Sequence, residues 1–393
     1  MSHAWHRALL AAALVFAGVM GMPGGVAAAD LRLNQFELKL GVIAPLTGPV
    51  PDFGQFIRDG VLLAVQEWNA RGGILGERIT TIVEDGQCSP GPAVAAAHKL
   101  IETDGVHFII GEVCSKASIP VSEIANAARV IQVSPTSTNL GVTVDATGAV
   151  KRFVFRNCFV DPFQGIVGAR FAYGSLRART AFVMADSAND YVSGLAGTFT
   201  AEFTRLGGTI VGTSDYDGER KTDFSSEIAQ VRTAAPDVVY LPDYYNVVNL
   251  VARQARAGGI TVPFIGGDGW DSSDLDARAA DGSYFTNHFS DDDPRPEVAT
   301  FLEAFDAAYP GPNYSNSKHM LAALAYDAAN MIFTAIQDAG TEDTAQVGRA
   351  LEAIRFHGVT GDLAYDAVHN PQKSAYVFAV KDGAVRFVER VDP

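Results

Sequence analysis

The sequence predicts an α/β protein built of two Rossmann-like lobes, each with a parallel central sheet. Short β-branched runs alternate with longer helical patterns, and this alternation starts again near residue 153. The length of 393 residues suits two domains of ordinary size. Because 48% of the residues are hydrophobic and 19% are charged, the chain can bury a sizeable core and is not expected to be disordered.

The first 29 residues predict a cleaved signal peptide. Arg7 precedes an apolar stretch from Ala8 to Met22, Pro23 ends that stretch, and Ala27–Ala29 gives the small-residue pattern of a cleavage site. A membrane anchor is the alternative, but the apolar stretch is short for a bilayer span. We therefore expect a soluble, unanchored protein that begins near Asp30 and is exported to the periplasm.

The first lobe begins with strands and helices that alternate along the chain, which favours right-handed crossovers and a parallel sheet. The helix from Phe53 to Asn69 has apolar residues at helical spacing and stops at Arg71-Gly72-Gly73. The other helices are predicted at Pro92–Glu102 and Ser118–Ala128. The strands are predicted at Leu38–Ile43, Ile79–Val83, Val106–Ile110 and Val130–Ser134.

The second half of the chain repeats this alternation, starting with a strand at Phe153–Phe155. Its other strands are predicted at Ala181–Met184, Thr209–Gly212, Val238–Leu241 and Phe264–Ile265. Its helices are predicted at Phe163–Tyr173, Val192–Leu206, Phe224–Thr233 and Val247–Ala257. The repeat is one of structure, with little residue identity between the two halves.

The C-terminal third is too short for a third lobe. It holds predicted helices at Pro296–Ala308, His319–Asp338 and Thr344–Ile354, and predicted strands at Tyr284–Thr286, Asp362–Tyr365, Tyr376–Val380 and Val385–Val388. Since such elements usually complete earlier sheets, we predict lobe 1 as residues 30–157 plus 286–360 and lobe 2 as residues 158–285 plus 361–393. The lobes would be joined by a hinge that the chain crosses several times.

Charge and motif content exclude several classes of function. The net charge of −15 argues against a nucleic-acid partner, which would favour a basic surface. Three cysteines are too few for a disulfide scaffold or a four-cysteine metal site, and the histidines outside the signal peptide lack zinc-binding spacing. The sequence holds no phosphate loop, nucleophile elbow or dinucleotide fingerprint. We therefore predict no metal, no cofactor and no catalytic residue, and we do not expect an enzyme.

Two of the three cysteines follow predicted neighbouring strands. Cys88 comes after the strand at 79–83 and Cys114 after the strand at 106–110, so both lie near one edge of the sheet. An oxidising compartment would close a disulfide between them, and two buried thiols are the alternative. Cys158 would remain unpaired.

The loops after the predicted strands hold the candidate binding residues, because ligands of open α/β sheets bind beyond the carboxyl ends of the strands. Loops 114–118 and 135–139 offer hydroxyls and free backbone N–H groups, which suit an anion, although ordinary helix capping explains such residues equally well. In the second half, Tyr191, Tyr244 and Asp268 also follow strands. A single carboxylate facing hydroxyls and aromatic rings complements a zwitterion.

Seven short motifs occur in a specific order between Leu38 and Asp366. They are GVIAPLTG at 41–48, NARGGI at 69–74, GEVCS at 111–115, SPTST at 134–138, DPFQG at 161–165, RQARAG at 253–258 and GGDGW at 266–270. In their order and spacing they resemble the periplasmic leucine/isoleucine/valine-binding protein family. The resemblance implies the type I periplasmic binding protein fold, in which two lobes close on a ligand.

The resemblance also implies a role for each candidate residue. The α-carboxylate of an amino acid would be held by Ser115, Thr136 and Thr138. The α-ammonium would pair with Asp268, assisted by the Tyr191 hydroxyl, with Trp270 adding bulk beside it. The ligand side chain would contact Phe53, Tyr244 and a Cys88–Cys114 bridge. Phe53 stands where family members often have Tyr, and Asp268 stands where some have Glu.

The function that follows from this resemblance is capture and delivery of a solute. We predict a monomeric extracytoplasmic receptor that binds an amino acid, with branched-chain amino acids as the first expectation, and delivers it to the membrane permease of an ABC importer. The same fold could instead take an aromatic acid, an amide or urea. A sensory ligand-binding module is the alternative from another functional class.

Overall fold

Two β-sheets, one of five strands and one of seven, organise the described chain. The structure is a computed structural model that describes residues 37–311 and 316–393. The predicted signal peptide lies outside the described residues. Each sheet has helices packed against it, and a two-stranded hairpin lies apart from both sheets. The α/β fold class with two parallel central sheets is thus confirmed.

The N-terminal part of the chain forms the five-stranded sheet. Its strands are β1 (Glu37–Ala44), β2 (Arg78–Asp85), β3 (Phe108–Gly111), β4 (Ile131–Ser134) and β5 (Val154–Arg156), and its helices are α1 (Pro51–Ala70), α2 (Pro90–His98) and α3 (Ser115–Ala128). The strand order is β2-β1-β3-β4-β5, and every neighbouring pair is parallel. Because helices cover the sheet, the central strands β3 and β4 are buried along their whole length.

Strand β5 completes the first sheet. A strand was expected at residues 153–155 as the first element of the repeated alternation, and these residues lie within the range predicted for lobe 1. The strand lies against β4, with Gln132 opposite Val154. The local pattern correctly predicts a strand, but strand pairing depends on distant residues that the pattern does not contain.

The middle of the chain forms most of the seven-stranded sheet. Its strands are β6 (Thr180–Ala185), β7 (Thr209–Asp215), β8 (Val238–Tyr240), β9 (Phe264–Gly266) and β10 (Ser283–Asn287). Its helices are α4 (Asp161–Arg170), α5 (Asp190–Arg205), α6 (Ser225–Ala234) and α7 (Tyr245–Ala257). These five strands pair in parallel in the order β7-β6-β8-β9-β10.

The C-terminal part contributes elements to both sheets. Its helices are α8 (Pro296–Ala308), α9 (Asn316–Ala339) and α10 (Thr344–Ala353), and its strands are β11 (Phe356–Gly358), β12 (Gly361–Leu363), β13 (Ala375–Lys381) and β14 (Ala384–Val391). Helix α9 packs on α1 in the hydrophobic core of the first sheet. Strands β13 and β14 extend the second sheet in antiparallel pairs beyond β10. The chain therefore passes between the two sheets three times.

The predicted lobe boundaries fall close to these passages. Strand β10 continues to Asn287, past the boundary placed after residue 285. The boundary after residue 360 falls inside the hairpin of β11 and β12, and the strand expected at 362–365 ends at Leu363 and pairs only with β11. The division into two lobes at these residues stays a prediction.

Helix α9 is long and apolar enough to cross a membrane by length and composition alone. In the folded chain, 89% of its apolar window is buried inside the protein. It also carries Asp327, whose carboxylate accepts hydrogen bonds from the backbone N–H groups of Val359 and Thr360. These contacts identify α9 as a core helix of the first lobe.

A buried lysine joins two of the passages between the sheets. The Lys373 ammonium donates a hydrogen bond of 3.0 Å to the carbonyl of Asn157, which follows β5, and another to the hydroxyl of Thr360, which precedes β12. Burial lowers the pKa of Lys373 to about 8. Its hydrogen bonds fix the two passages to each other beside the sheets.

Candidate ligand-binding site

The carboxyl ends of the two sheets enclose a small cavity of about 20 Å³. From the first sheet it is lined by Phe53, Val113, Ser115 and Thr136, and from the second by Tyr191, Tyr244, Asp268 and Gly269, with Met320 and Leu321 of α9 completing it. Six of the predicted binding residues therefore lie around one space, five of them in loops or helix starts that follow strands and Phe53 in the first turn of α1. Cys114, Thr138 and Trp270 are not among the lining residues.

Asp268 is the charged group of this site. Its Oδ1 accepts hydrogen bonds from the Tyr191 hydroxyl and the Gln164 amide, both at 2.9 Å, and its Oδ2 lies 3.1 Å from Nε2 of His288. Burial acts to raise the pKa of Asp268, but the hydrogen bond and the electrostatic attraction of His288, together with the hydrogen bonds from Gln164 and Tyr191, outweigh burial and hold the pKa below its usual value. The carboxylate is therefore ionised although only 8% of the residue is exposed.

The GGDGW motif explains how Tyr191 reaches Asp268. A Cβ atom on Gly267 would lie 2.5 Å from the Tyr191 hydroxyl oxygen, so any side chain there would push the tyrosine away. The backbone N–H of Gly269 donates to the same hydroxyl at 3.0 Å. The hydroxyl can then donate its own proton to Asp268, which fixes the direction of this chain of hydrogen bonds.

The opposite wall of the cavity offers neutral polar groups. Ser115 is the first residue of α3, and its hydroxyl accepts a hydrogen bond of 3.2 Å from the backbone N–H of Asn139. The Thr136 hydroxyl donates to the carbonyl of Val113 at 2.9 Å. Because α3 begins here, the positive end of its dipole lies at this wall. The wall suits an anionic group that approaches the hydroxyls and the helix start.

Thr138 lies deeper than the other two hydroxyl residues. It is fully buried, and its carbonyl accepts a hydrogen bond of 3.0 Å from the backbone N–H of Asp161 at the start of α4. Burial raises the pKa of Asp161 to about 7, and the nearby negative charge of Asp268 acts in the same direction. Thr138 thus connects the hydroxyl wall to α4 behind the cavity.

A second buried carboxyl, Glu112, precedes the hydroxyl wall. Its Oε2 accepts hydrogen bonds from the backbone N–H groups of Val113 at 2.7 Å and Cys114 at 2.6 Å. Burial raises the pKa of Glu112 to about 7 and outweighs these hydrogen bonds. At neutral pH this carboxyl is therefore protonated in a large fraction of the molecules.

Aromatic and apolar side chains form the rest of the cavity. The rings of Tyr191 and Tyr244 stack with their centroids 5.0 Å apart, and the ring of Phe53 meets Tyr244 edge-on at 6.2 Å. Met320 and Leu321 come from α9, far along the sequence. These two residues could not be predicted as site residues from the sequence, because their apolar pattern matches that of any buried helix.

Trp270 belongs to the hydrophobic core of the second sheet. Its side chain is fully buried, and its indole N–H donates to the carbonyl of Leu241 at 2.9 Å. The ring packs against Phe285 of β10. This position explains why Trp270 does not line the cavity, although it lies two residues after Asp268.

The Cys88–Cys114 disulfide is confirmed, with the two Cα atoms 5.3 Å apart. It joins the loop after β2 to the loop after β3 and so holds the first wall of the site together. Cys158 is a buried free thiol that donates to the carbonyl of Ser137 at 3.3 Å, and burial raises its pKa to about 12. Among the described residues, no group of three histidine, cysteine or acidic side chains could hold a metal ion.

Polar contacts join the two sides of the cleft around the cavity. The Asp52 carboxylate of α1 accepts hydrogen bonds from the hydroxyls of Tyr245 at 2.7 Å and Ser272 at 2.6 Å. Lys116 of α3 forms an ion pair with Glu219. A neighbouring cavity of about 310 Å³ shares Tyr244 with the first cavity and is lined by Cys88 and Lys116, among others.

Comparisons with known proteins agree with this geometry. The periplasmic binding protein family matches residues 37–384. A Leu/Ile/Val-binding protein homolog of Brucella abortus is 32% identical over 347 residues, which cover 87% of this chain and 89% of the relative.

Two solved structures are similar over nearly their whole length. A leucine binding protein, LivK, from Thermotoga maritima has a TM-score of 0.83 and 32% identity, covering 91% of this chain and 99% of its own. The branched-chain amino acid transporter substrate binding protein LivJ from Streptococcus pneumoniae, in complex with isoleucine, has a TM-score of 0.82 and 29% identity, covering 91% and 100%. The predicted resemblance to the leucine/isoleucine/valine-binding proteins is confirmed, and the chain belongs to the periplasmic binding protein family.

Proposed function

We propose that this protein captures an α-amino acid between its two lobes and delivers it to the permease of an ABC importer. The observation that carries the proposal is the arrangement of charge around the cavity. An ionised, buried Asp268 on one wall faces neutral hydroxyls and a helix start on the other. An α-ammonium and an α-carboxylate on one carbon match these two walls.

We further propose that the ligand side chain is aliphatic and branched. Phe53, Val113, Met320 and Leu321 give the cavity an apolar part away from Asp268. Burial of apolar surface there would favour larger aliphatic side chains, at about 0.8 kcal/mol per methylene group. The relatives whose names specify leucine, isoleucine and valine support this choice.

Capture requires the lobes to move. The cavity of about 20 Å³ is far smaller than the pockets of about 300–1,000 Å³ that hold small ligands. The lobes therefore separate to admit the amino acid and close on it, with the three passages of the chain as the hinge. The division into residues 30–157 plus 286–360 and residues 158–285 plus 361–393 is our proposal for the two moving bodies.

The setting of this function is the periplasm, where the protein acts as a monomer without catalysis. Residues 1–29 would direct export and be removed, and the closed form would be the one that the permease recognises. Mass spectrometry of the mature protein tests whether residues 1–29 are removed, because cleavage before Asp30 fixes the expected mass.

Isothermal titration with leucine, valine, alanine, phenylalanine and benzoate tests the ligand class. Leucine should bind more tightly than alanine by about 2.4 kcal/mol, near sixtyfold, since three further carbon groups are buried. Phenylalanine should gain less than its area implies, because overpacking a closed cavity costs about 1–3 kcal/mol. Tight binding of benzoate, which has no ammonium group, would contradict the amino acid proposal.

A further inference from the structure

His288 lies directly behind Asp268, at the start of the passage that follows β10. Its Nε2 is 3.1 Å from Oδ2 of Asp268, whereas Tyr191 and Gln164 occupy Oδ1. The imidazole is 1% exposed and stacks on the ring of Phe159, with the centroids 3.6 Å apart. The histidine is thus fixed in position by a ring contact and a hydrogen bond, and it does not line the cavity.

The second nitrogen of this imidazole determines its charge. Among the described residues, the buried Nδ1 of His288 has no hydrogen-bond partner. An imidazolium would carry an N–H there without an acceptor, which is costly, whereas a neutral ring with its proton on Nε2 leaves only an unused lone pair. The geometry favours the neutral form, which donates Nε2–H to Asp268.

We propose that His288 is a positioning residue that keeps Asp268 ionised without neutralising it, so that the site selects α-amino acids over acids that lack an ammonium group. This inference rests on the proposed amino acid function. A neutral donor stabilises the carboxylate but leaves its negative charge for the ligand. A ligand with a carboxylate and no ammonium would then place two negative charges in one closed site.

The titratable groups around His288 and Asp268 are consistent with a neutral His288 beside an ionised Asp268. Burial lowers the pKa of His288, and the positive charge of Lys373 acts in the same direction, while Asp268 acts in the opposite direction. Asp161 lies close enough for the negative charge of Asp268 to raise its pKa, which favours the protonated form of Asp161 beside the ionised Asp268. The remaining titratable groups that interact electrostatically with Asp268 are Cys158, Tyr191, Tyr240 and Tyr244.

The test compares leucine with 4-methylpentanoate, which is leucine without its amino group, by isothermal titration. His288→Phe keeps a ring against Phe159 but removes the donor, whereas His288→Gln keeps an N–H near the position of Nε2. We expect His288→Phe to weaken leucine binding at least tenfold at pH 7 without weakening 4-methylpentanoate binding. We expect His288→Gln to remain within about threefold of the parent, as one retained hydrogen bond implies. The control His357→Gln changes an exposed histidine and should change neither affinity.

The pH profile separates positioning from simple packing. Without its donor, the buried Asp268 should take up a proton more readily, so leucine binding to His288→Phe should recover as the pH rises from 6 to 8.5. The parent carries the same Glu112 and Asp161 carboxyls, so the recovery is measured as the ratio of the variant's affinity to the parent's, which should rise over this range. The proposal would be overturned if His288→Phe weakened the binding of leucine and of 4-methylpentanoate equally. It would also be overturned if His288→Gln weakened leucine binding as much as His288→Phe does.

A measurement on the parent protein keeps the test independent of variant folding. Nitrogen-15 NMR of histidine-labelled protein should show His288 as the neutral ring with its proton on Nε2 at pH 7. An imidazolium at that pH would overturn the inference. Failure of the parent to bind any amino acid would contradict the proposed function instead, and the NMR result would still report on His288.

Discussion

Two buried carboxyls stand on opposite sides of the cleft, and their environments differ. Glu112 receives two backbone N–H groups on one oxygen, while its Oε1 has no hydrogen-bond partner among the described residues. Asp268 receives side-chain donors on both oxygens. Burial raises the pKa of Glu112 to about 7, whereas the donors hold the pKa of Asp268 below its usual value.

This difference shows that burial alone does not decide the charge of a carboxyl group; the number and distribution of its donors do. The first lobe has a carboxyl beside the hydroxyl wall that is protonated in a large fraction of the molecules at neutral pH, so it repels an anionic group less than a fully ionised carboxylate would. The second lobe has a carboxylate that stays negative. A ligand with one charge of each sign is therefore oriented by the two lobes together.

The largest expected effect follows from removing the charge of the second lobe. Asp268→Asn keeps the shape of the side chain but leaves the ligand ammonium without its anionic partner in a closed site. We expect a loss of about 2–5 kcal/mol in leucine binding, measured by isothermal titration. Asp274→Asn, an exposed change in the following loop, is the control. An affinity within a few-fold of the parent would remove Asp268 from the binding site.

The next effect tests what holds the first wall in place. Replacing both Cys88 and Cys114 by Ser opens a loop whose ends lie 26 residues apart in sequence. We expect the free energy of unfolding to fall by about 2–4 kcal/mol, measured by urea denaturation. Adding a reductant to the parent protein should lower its stability in the same direction. Three alkylatable thiols in unreduced periplasmic protein would show that the bridge does not form in the cell.

A smaller effect on stability should come from Glu112. Its pKa is about 7 in the folded chain against the ordinary 4.5, so the folded state binds more protons than the unfolded state between these values. The stabilisation is present below pH 4.5 and is lost as the pH rises through 7. Glu112→Gln should remove this loss, which is on the order of 2 kcal/mol.

Urea denaturation at pH 5 and pH 7.5 measures this change. The exposed Glu303→Gln serves as the control and should keep the pH dependence of the parent protein. An unchanged pH dependence in Glu112→Gln would mean that Glu112 is ionised in the folded chain, and the contrast with Asp268 would be lost.

The smallest effect concerns the neutral wall. Ser115→Ala removes one hydroxyl at the start of α3, and a single neutral hydrogen bond contributes about 0.5–1.5 kcal/mol. We expect leucine affinity to fall about fivefold, against no change for the exposed Ser226→Ala. A loss of affinity as large as that of Asp268→Asn would contradict the conclusion that the second wall carries a charge while the first wall offers only neutral groups.

The sequence predicts the fold well where the signal is local. Helix α8 begins at Pro296 and ends at Ala308 as expected, because Pro at its start and the apolar spacing lie within the helix itself. The pairing of β5 with β4 was not predictable from the three residues of β5. The hairpin partner of β12 was missed because β11 is too short to stand out in the sequence.

The candidate site, like the fold, could be predicted only where the signal in the sequence is local. Ser115, Thr136, Tyr191 and Asp268 could be placed because they follow strands, and strand ends of one sheet meet at one edge. The donors to Asp268 could not be assigned, since Gln164 and His288 lie 104 and 20 residues away in sequence. His288 is one of the histidines without zinc-binding spacing, and nothing in the residues next to it indicates its contact with a carboxylate.

The three passages of the chain between the sheets have a consequence for how the protein forms after export. The core of the first lobe contains residues of α9, and the second sheet contains β13 and β14. When the chain is translocated with its amino end first, neither lobe can be completed until about the last eighty residues have also crossed the membrane. We expect both lobes to become resistant to protease at nearly the same moment of translocation, with no long-lived form in which one lobe is finished and the other is not.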